Sequence, residues 1–497
     1  MCARTLVVMN NVGLKMLLVS SLYATSISIH ASDADIVKPT TDFSAAEIYE
    51  ALPAGALTHR KVANADAFSH ASANMSFERE LDFQLGNAFF TKLWVSSPSS
   101  TQSSDGLGPL FNARACQRCH IKDGRGHPPD VNDINSVSML VRLSIPAQNK
   151  ADLNLLKSGR VNSLPDPVYG HQLQDVSIMG LYSEGQIAIS YTESKVELAD
   201  AQTASLRKPK LVISSLMYGE LHQQIMMSAR VAPQMIGLGL LEAIDEKDIL
   251  AQQDILDSDG DGISGKANHV WSEEHQVVTL GRFGLKAAKA TLNDQNQSAF
   301  NGDIGLSTAL FPNPYGDCTP SQKECLKMPT GVDNGNAEVS KEMLEKVLHY
   351  TRNLAVPARR NVSNKNVLAG KKLFYQSACI ACHTPKYITP RVTAQPEQSR
   401  QLIWPYSDML LHDMGDGLAD NRPEALANGR EWRTSPLWGI GLTPLVNGHS
   451  QYLHDGRARN ILEAILWHGG EAEKSKQAVI EMSKFERVQL VTFIKSL

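Results

Sequence analysis

Ala115-Cys116-Gln117-Arg118-Cys119-His120 and Ala378-Cys379-Ile380-Ala381-Cys382-His383 carry the same spacing, C-x-x-C-H. A two-residue gap puts both thiols on one side of a helical turn, and the next residue is a histidine. This is the attachment pattern of a c-type haem. The sulfurs add to the two vinyl groups, and the histidine supplies a nitrogen to the iron. Two other chemistries use paired cysteines. Zinc sites built from two C-x-x-C halves place them about 15–20 residues apart, far closer than these two. A thioredoxin-type dithiol wants a βαβ setting and has no need of His120 or His383.

The flanks repeat as well. Gly370-Lys371-Lys372-Leu373-Phe374 leads into the second motif and resembles the first helix of class I cytochromes c. At the end of the chain, Leu490, Phe493, Ile494 and Leu497 form an apolar i, i+3, i+4, i+7 set, as a helix packed on that first helix requires. Leu85-Gly86-Asn87-Ala88-Phe89-Phe90 gives the first motif a similar lead-in. Arg230 to Leu240 is faintly echoed by Arg433 to Leu442. Proline and glycine breaks at Phe311–Gly316 and Pro329–Gly335 separate the halves. The spacing predicts a helix over 338–354 and strands over 139–145 and 211–213. The expected architecture is mainly α, with two cytochrome c-like haem domains. The first, 32–340, is enlarged by insertions with minor β structure, and the second is 341–497.

The chain has 497 residues, 42% hydrophobic and 20% charged, with formal net charge −4. No single-sign field points to nucleic acid or to polybasic membrane attachment. Lys15 precedes an apolar run from Met16 to Ala24, and small residues follow to Ser32. That is a secretory signal pattern over 1–31, with Met9 and Met16 as alternative starts. No later stretch is long enough to span a bilayer. The expectation is a soluble, exported, periplasmic protein. In an oxidising compartment Cys318 and Cys325 read as a local disulfide. Four of the six tryptophans (Trp404, Trp432, Trp438 and Trp467) lie in the last hundred residues.

Longer runs carry a resemblance. They include Asp105 to Arg114, Asp123-Gly-Arg-Gly126, Asp166 to Gly170, Ile236 to Ile244, Pro405 to Gly415, Tyr452 to Ala458 and Ile465 to Ala472. Through them nearly the whole mature chain resembles the di-haem oxidoreductase family, also labelled thiol oxidoreductase and related to bacterial di-haem cytochrome c peroxidases. The resemblance implies a second haem that relays electrons and a first that reacts. It places the second haem's other axial ligand on His468, with Met414 and His412 as rivals and His454 nearby in a packing role. For acid–base work at the first haem it points to a glutamate, and Glu242 is the candidate, with Arg230 and Gln172 as polar neighbours.

Asp257-Ser-Asp259-Gly-Asp261-Gly262 follows the D-x-D-x-D-G of calcium loops. Asp257, Asp259 and Asp261 fit the first three ligand positions, while Asn268 stands where a bidentate glutamate is usual. The function these features imply is reduction of hydrogen peroxide with electrons from a small redox protein, a cytochrome c or a cupredoxin. The rivals are a non-catalytic electron-transfer cytochrome and peroxide-dependent oxidation of an organic or thiol substrate.

Overall fold

The computed structural model describes residues 36–129, 138–333 and 335–497; the leader read over 1–31 lies outside them. Two helix crossings organise the chain. α1 (Phe77–Thr91) packs on α2 (Lys341–Arg352), and α3 (Lys365–Gln376) packs on α4 (Lys484–Ser496). Ser340, Asn364 and Ser483 each accept a hydrogen bond from a backbone N–H of the turn they start, and Ser483 with Glu486 forms a reciprocal cap. Each helix turns an apolar stripe inward. Phe83 and Phe90 on α1 meet Tyr350 on α2, and Phe374 on α3 meets Phe493 on α4.

Both crossings pivot on a glycine. A Cβ on Gly86 would stand 2.2 Å from the Lys346 carbonyl oxygen, and one on Gly370 would stand 2.0 Å from that of Gln489. Only a residue without a side chain lets the helices approach so closely. Gly86 and Phe90 are four apart, as are Gly370 and Phe374, so the two lead-in helices repeat one packing rule. The apolar set near the end of the chain does form a helix, α4, and it crosses α3.

The mainly α expectation does not hold. Helix accounts for 30% of the chain and strand for 17%, the latter in small antiparallel sheets. The cause lies between α1 and α2. There β1 (Met139–Ser144), β2 (Gln186–Leu198), β3 (Gln202–Ser214) and β4 (Met226–Val231) form. β1 pairs with β4, Met139 opposite Val231, and β2 pairs with β3 from Gln186 opposite Ser214 to Leu198 opposite Gln202. Most residues along β2 alternate between exposed and half-buried, the period-two pattern of a strand, but its many polar residues hide that signal in sequence. The hairpin reaches residues of the last third of the chain. Leu198 and Leu206 pack on Leu466, and Arg207 donates to the Arg457 and Gly456 carbonyls.

Residues Pro39–Leu497 form one compact unit. Cys318 and Cys325 are disulfide-bonded, as their spacing suggested. No helix among the described residues is long and apolar enough to cross a membrane.

Candidate functional site

Cys116–Cys119 forms a single helical turn capped by His120, and Cys379–Ala381 forms a 3-10 turn that runs into Cys382 and His383. Each motif follows the lead-in helix of its own crossing. Burial pushes the Cys116 thiol up to about 12, with Asp303 adding to the effect, and burial lifts Cys379 to about 12. Cys119 and Cys382 are raised by burial too. These are protonated thiols, Cys119 buried and the other three half-buried, the opposite of the low-pKa thiolates on which dithiol redox chemistry depends.

The two histidines are held identically. His120 Nδ1 donates to the Pro233 carbonyl at 2.8 Å, and His383 Nδ1 donates to the Tyr406 carbonyl at 2.8 Å. A carbonyl can only accept, so the proton sits on Nδ1 and the lone pair sits on Nε2. A second-shell bond of this kind orients a metal-ligating imidazole. Burial lowers both rings' proton affinity, that of His383 to about 4, which keeps them neutral near pH 7. Phe90 stands 6.3 Å from the first ring and Phe374 stands 6.1 Å from the second.

Around the second motif, the resemblance-derived histidines separate by their hydrogen bonds. His468 Nδ1 donates to the Ala464 carbonyl at 2.7 Å, so its Nε2 also carries the lone pair. His468 lies close enough to His383 that a charge on it counts against a charge on His383. His412 has both nitrogens engaged: Nε2 lies 2.7 Å from Asp408 and Nδ1 lies 2.6 Å from Glu471. Although burial works against it, these carboxylates keep the ring charged well above the usual range. A doubly protonated ring offers no lone pair to a metal. His454 stacks on Trp432 with centroids 3.8 Å apart, its Nε2 3.6 Å from Asp455. Met414 bonds through its backbone N–H to the Arg430 carbonyl.

The first motif is ringed by aspartates. The charge of Asp303 bears on Cys116, Cys119 and His120, and that of Asp175 bears on Cys119. Gln172 Nε2 joins Asn112 Oδ1 at 2.6 Å to Asp303 Oδ1 at 2.9 Å, and Asn112 Nδ2 donates to Asp175 at 2.8 Å. Burial pushes Asp175 up to about 6. Asp123 is pushed to about 6 as well, though the Ser69 and Tyr350 hydroxyls each donate to it at 2.6 Å. Sequence reading missed Asp175 and Asp303 because neither sits in a motif; only the fold brings them to Cys119.

Glu242 is placed differently. Its carboxylate takes the Arg352 guanidinium at 2.5 Å, the Leu292 N–H at 2.9 Å and the Gln395 amide at 3.2 Å. None of these partners belongs to the first motif. Arg230 pairs with Glu424 at 2.6 Å. In the aspartate loop, Asp254, Asp257 and Asp259 bring carboxylate oxygens within 4.8 Å of one another, while Asp261 accepts from the Ile263 N–H at 2.7 Å. Asn268 turns away from the loop, its amide donating to the Lys286 carbonyl at 2.8 Å.

A comparison with curated proteins finds no match. Among solved structures, the chain is similar to a chain of hydrazine synthase from Kuenenia stuttgartiensis, studied under xenon pressure. The identity is 14% and the TM-score 0.27, over 75% of this chain and 94% of that one. Over residues 51–497 the chain matches the family described as "Di-haem oxidoreductase, putative peroxidase", and it belongs to that family.

Proposed function

We propose that the chain is an exported, soluble oxidoreductase that holds two covalently attached c-type haems and reduces hydrogen peroxide with electrons from a small redox protein. The observation that carries the reading is the matched pair of sites: two C-x-x-C turns, each followed by a histidine whose Nδ1 is spent on a carbonyl at 2.8 Å.

The residues present fit the group. Protonated thiols in pairs suit thioether formation, and the free Nε2 atoms of His120 and His383 suit iron. The indole N–H groups of Trp404, Trp438 and Trp467 are buried without a hydrogen-bond partner among the described residues, and they can meet a cofactor's carboxylates. When bound, the haems supply one-electron redox chemistry. The chain does the rest. Cys116 and Cys119 anchor one macrocycle and Cys379 and Cys382 the other. His468 gives the second site a second imidazole. Reduction of peroxide to two waters consumes two electrons and two protons. Asp175, whose proton affinity burial raises to about 6, is the acid–base group beside the first site. Glu242 remains the rival for that role. The aspartate loop binds calcium through Asp257 and Asp259, with Asp261 or Asp254.

Stopped-flow absorption tests this. Holoprotein, oxidised and half-reduced, is mixed with hydrogen peroxide and a reduced cytochrome c. A fast Soret change followed by oxidation of the donor is expected. A Soret band inert in both states would leave an electron carrier instead.

A further inference from the structure

The two C-x-x-C-H sites are joined by a track of four hydrogen bonds strung on three short covalent stretches, at Pro233-Gln234, Leu437-Trp438 and Pro405-Tyr406. It starts at His120 Nδ1, which donates to the Pro233 carbonyl at 2.8 Å. That carbonyl belongs to the peptide linking Pro233 to Gln234. The side chain of Gln234 then donates from Nε2 to the Trp438 carbonyl at 2.6 Å. One residue back, the Leu437 N–H donates to the Pro405 carbonyl at 2.9 Å. That peptide leads to Tyr406, whose carbonyl accepts from His383 Nδ1 at 2.8 Å.

The track is held rigidly. Gly237, three residues past Gln234, has φ +71 and lies so close to Trp438 that a Cβ would stand 2.3 Å from the ring. Trp438 is 1% exposed and packs with Ile236 and Val356. Every link but one is made by backbone or by a histidine that ends the track. Gln234 is the one side chain that bridges, and it sits in the stretch faintly echoed by the one that contains Trp438.

We propose that Gln234 is a positioning residue that couples the two haem sites, and that electrons pass between them along this track. In the step, one electron leaves the second iron, which is oxidised, and enters the first, which is reduced. The external redox protein then re-reduces the second iron. The Pro233 and Tyr406 carbonyls accept from His120 and His383, and the Gln234 bridge ties the segments that carry these carbonyls, so one scaffold orients both rings. The proposal rests on the two-haem reading above.

The test compares wild type with Gln234→Leu and Gln234→Met. Pyridine haemochromogen spectra count the haems. Spectroelectrochemistry gives both potentials. Sub-stoichiometric reduction in stopped flow gives the rate at which the electron redistributes between the haems. The expected result is two haems retained, potentials little changed and redistribution slower by about 10-fold, the low end of what disturbing a metal site's outer shell costs in activity. Gln234→His, which can still donate to the Trp438 carbonyl, restores part of the rate. An unchanged rate in the variants with both haems in place overturns the proposal, as does a lower rate explained wholly by a moved potential. A wild type without two haems fails the first assay, which identifies the functional reading as the one at fault.

Discussion

His383 and His468 present the same tautomer to a shared neighbourhood: each donates from Nδ1 to a backbone carbonyl, at 2.8 Å to Tyr406 and at 2.7 Å to Ala464, leaving Nε2 unprotonated. Were a haem iron held between these two nitrogens, the site would be bis-histidine, with a lower potential than a histidine/methionine one. His468→Met is therefore expected to raise the potential of the second haem by on the order of 0.1 V, within the ~0.8 V that axial ligands span. His468→Ala is expected to turn that haem high-spin. Redox-titrated absorption and electron paramagnetic resonance check both. An unchanged low-spin signal in the alanine variant would move the ligand to another side chain, with His412 excluded by its two carboxylates.

Asp175 and Glu242 differ in how their carboxylates are spent. Asp175 is half-buried near Cys119 with its proton affinity raised to about 6, while Glu242 is tied to Arg352 and to the Leu292 N–H. Asp175→Asn is expected to slow peroxide turnover by about 100-fold or more, the usual worth of a positioned acid–base group. Glu242→Gln is expected to spare turnover and lower stability by about 1–3 kcal/mol, the cost of breaking a charged hydrogen bond. Steady-state kinetics beside thermal unfolding separates the two, and the reverse pattern returns the acid–base role to Glu242.

These two carboxylates also show where sequence reading stops. The C-x-x-C-H turns, the disulfide and helix α4 were legible because each is a local pattern: fixed spacing, close cysteines, an i, i+3, i+4, i+7 set. The β2–β3 hairpin was mostly illegible. Its alternation runs through Thr192, Glu193, Ser194, Lys195 and Glu197, so the apolar contrast that betrays a strand is faint. Asp175 and Asp303 were invisible for another reason. Their meaning comes from Asn112 and Gln172, which the fold gathers from distant parts of the chain. Glu242 has a motif-like neighbourhood, but Arg352 and Gln395, which decide its surroundings, come from elsewhere in the sequence.

The glycines at the helix crossings make a sharp packing test. A methyl on Gly86 would stand 2.2 Å from the Lys346 carbonyl oxygen, and one on Gly370 would stand 2.0 Å from that of Gln489. The nearest atoms are backbone carbonyls, and the Tyr350 and Phe493 Cβ atoms close behind them are as fixed, so nothing can swing aside. Gly86→Ala and Gly370→Ala are each expected to cost about 1–3 kcal/mol or more, as overpacking does. Helix propensity alone would favour alanine, so a stabilised variant in urea unfolding would refute the close crossing.

The aspartate loop predicts a cation effect on stability. Asp254, Asp257 and Asp259 already converge within 4.8 Å. Calcium added to chelator-treated protein at 100 times its dissociation constant is expected to stabilise the fold by about 2.7 kcal/mol. Asp257→Asn is expected to abolish the response. Calorimetry with calcium and with magnesium checks it, and identical curves with and without calcium would remove the metal from the loop.

The pH dependence of stability turns on Glu471. Its carboxylate takes His412 Nδ1 at 2.6 Å and the Ser264 hydroxyl at 2.7 Å, while His412 is also held by Asp408 and lies 3.5 Å from the Cys382 sulfur. Burial acts against the charge, yet the hydrogen bonds from His412 and Ser264 hold its pKa down to about 2 from an ordinary 4.5. A carboxyl lowered on folding adds stability that is present in full above its unfolded value and is lost as pH falls through its folded one. Wild type is therefore expected to exceed Glu471→Gln by about 1–3 kcal/mol at pH 7, with the gap closing between about pH 4.5 and pH 2. Because Glu471 follows His468 by three residues and also binds Ser264 beside the aspartate loop, the second haem's spectrum is expected to change over the same acid range. Urea unfolding at stepped pH, read by Soret absorption and by tryptophan fluorescence together, measures both, and a gap that stays constant down to pH 2 would show that Glu471 carries no such linkage.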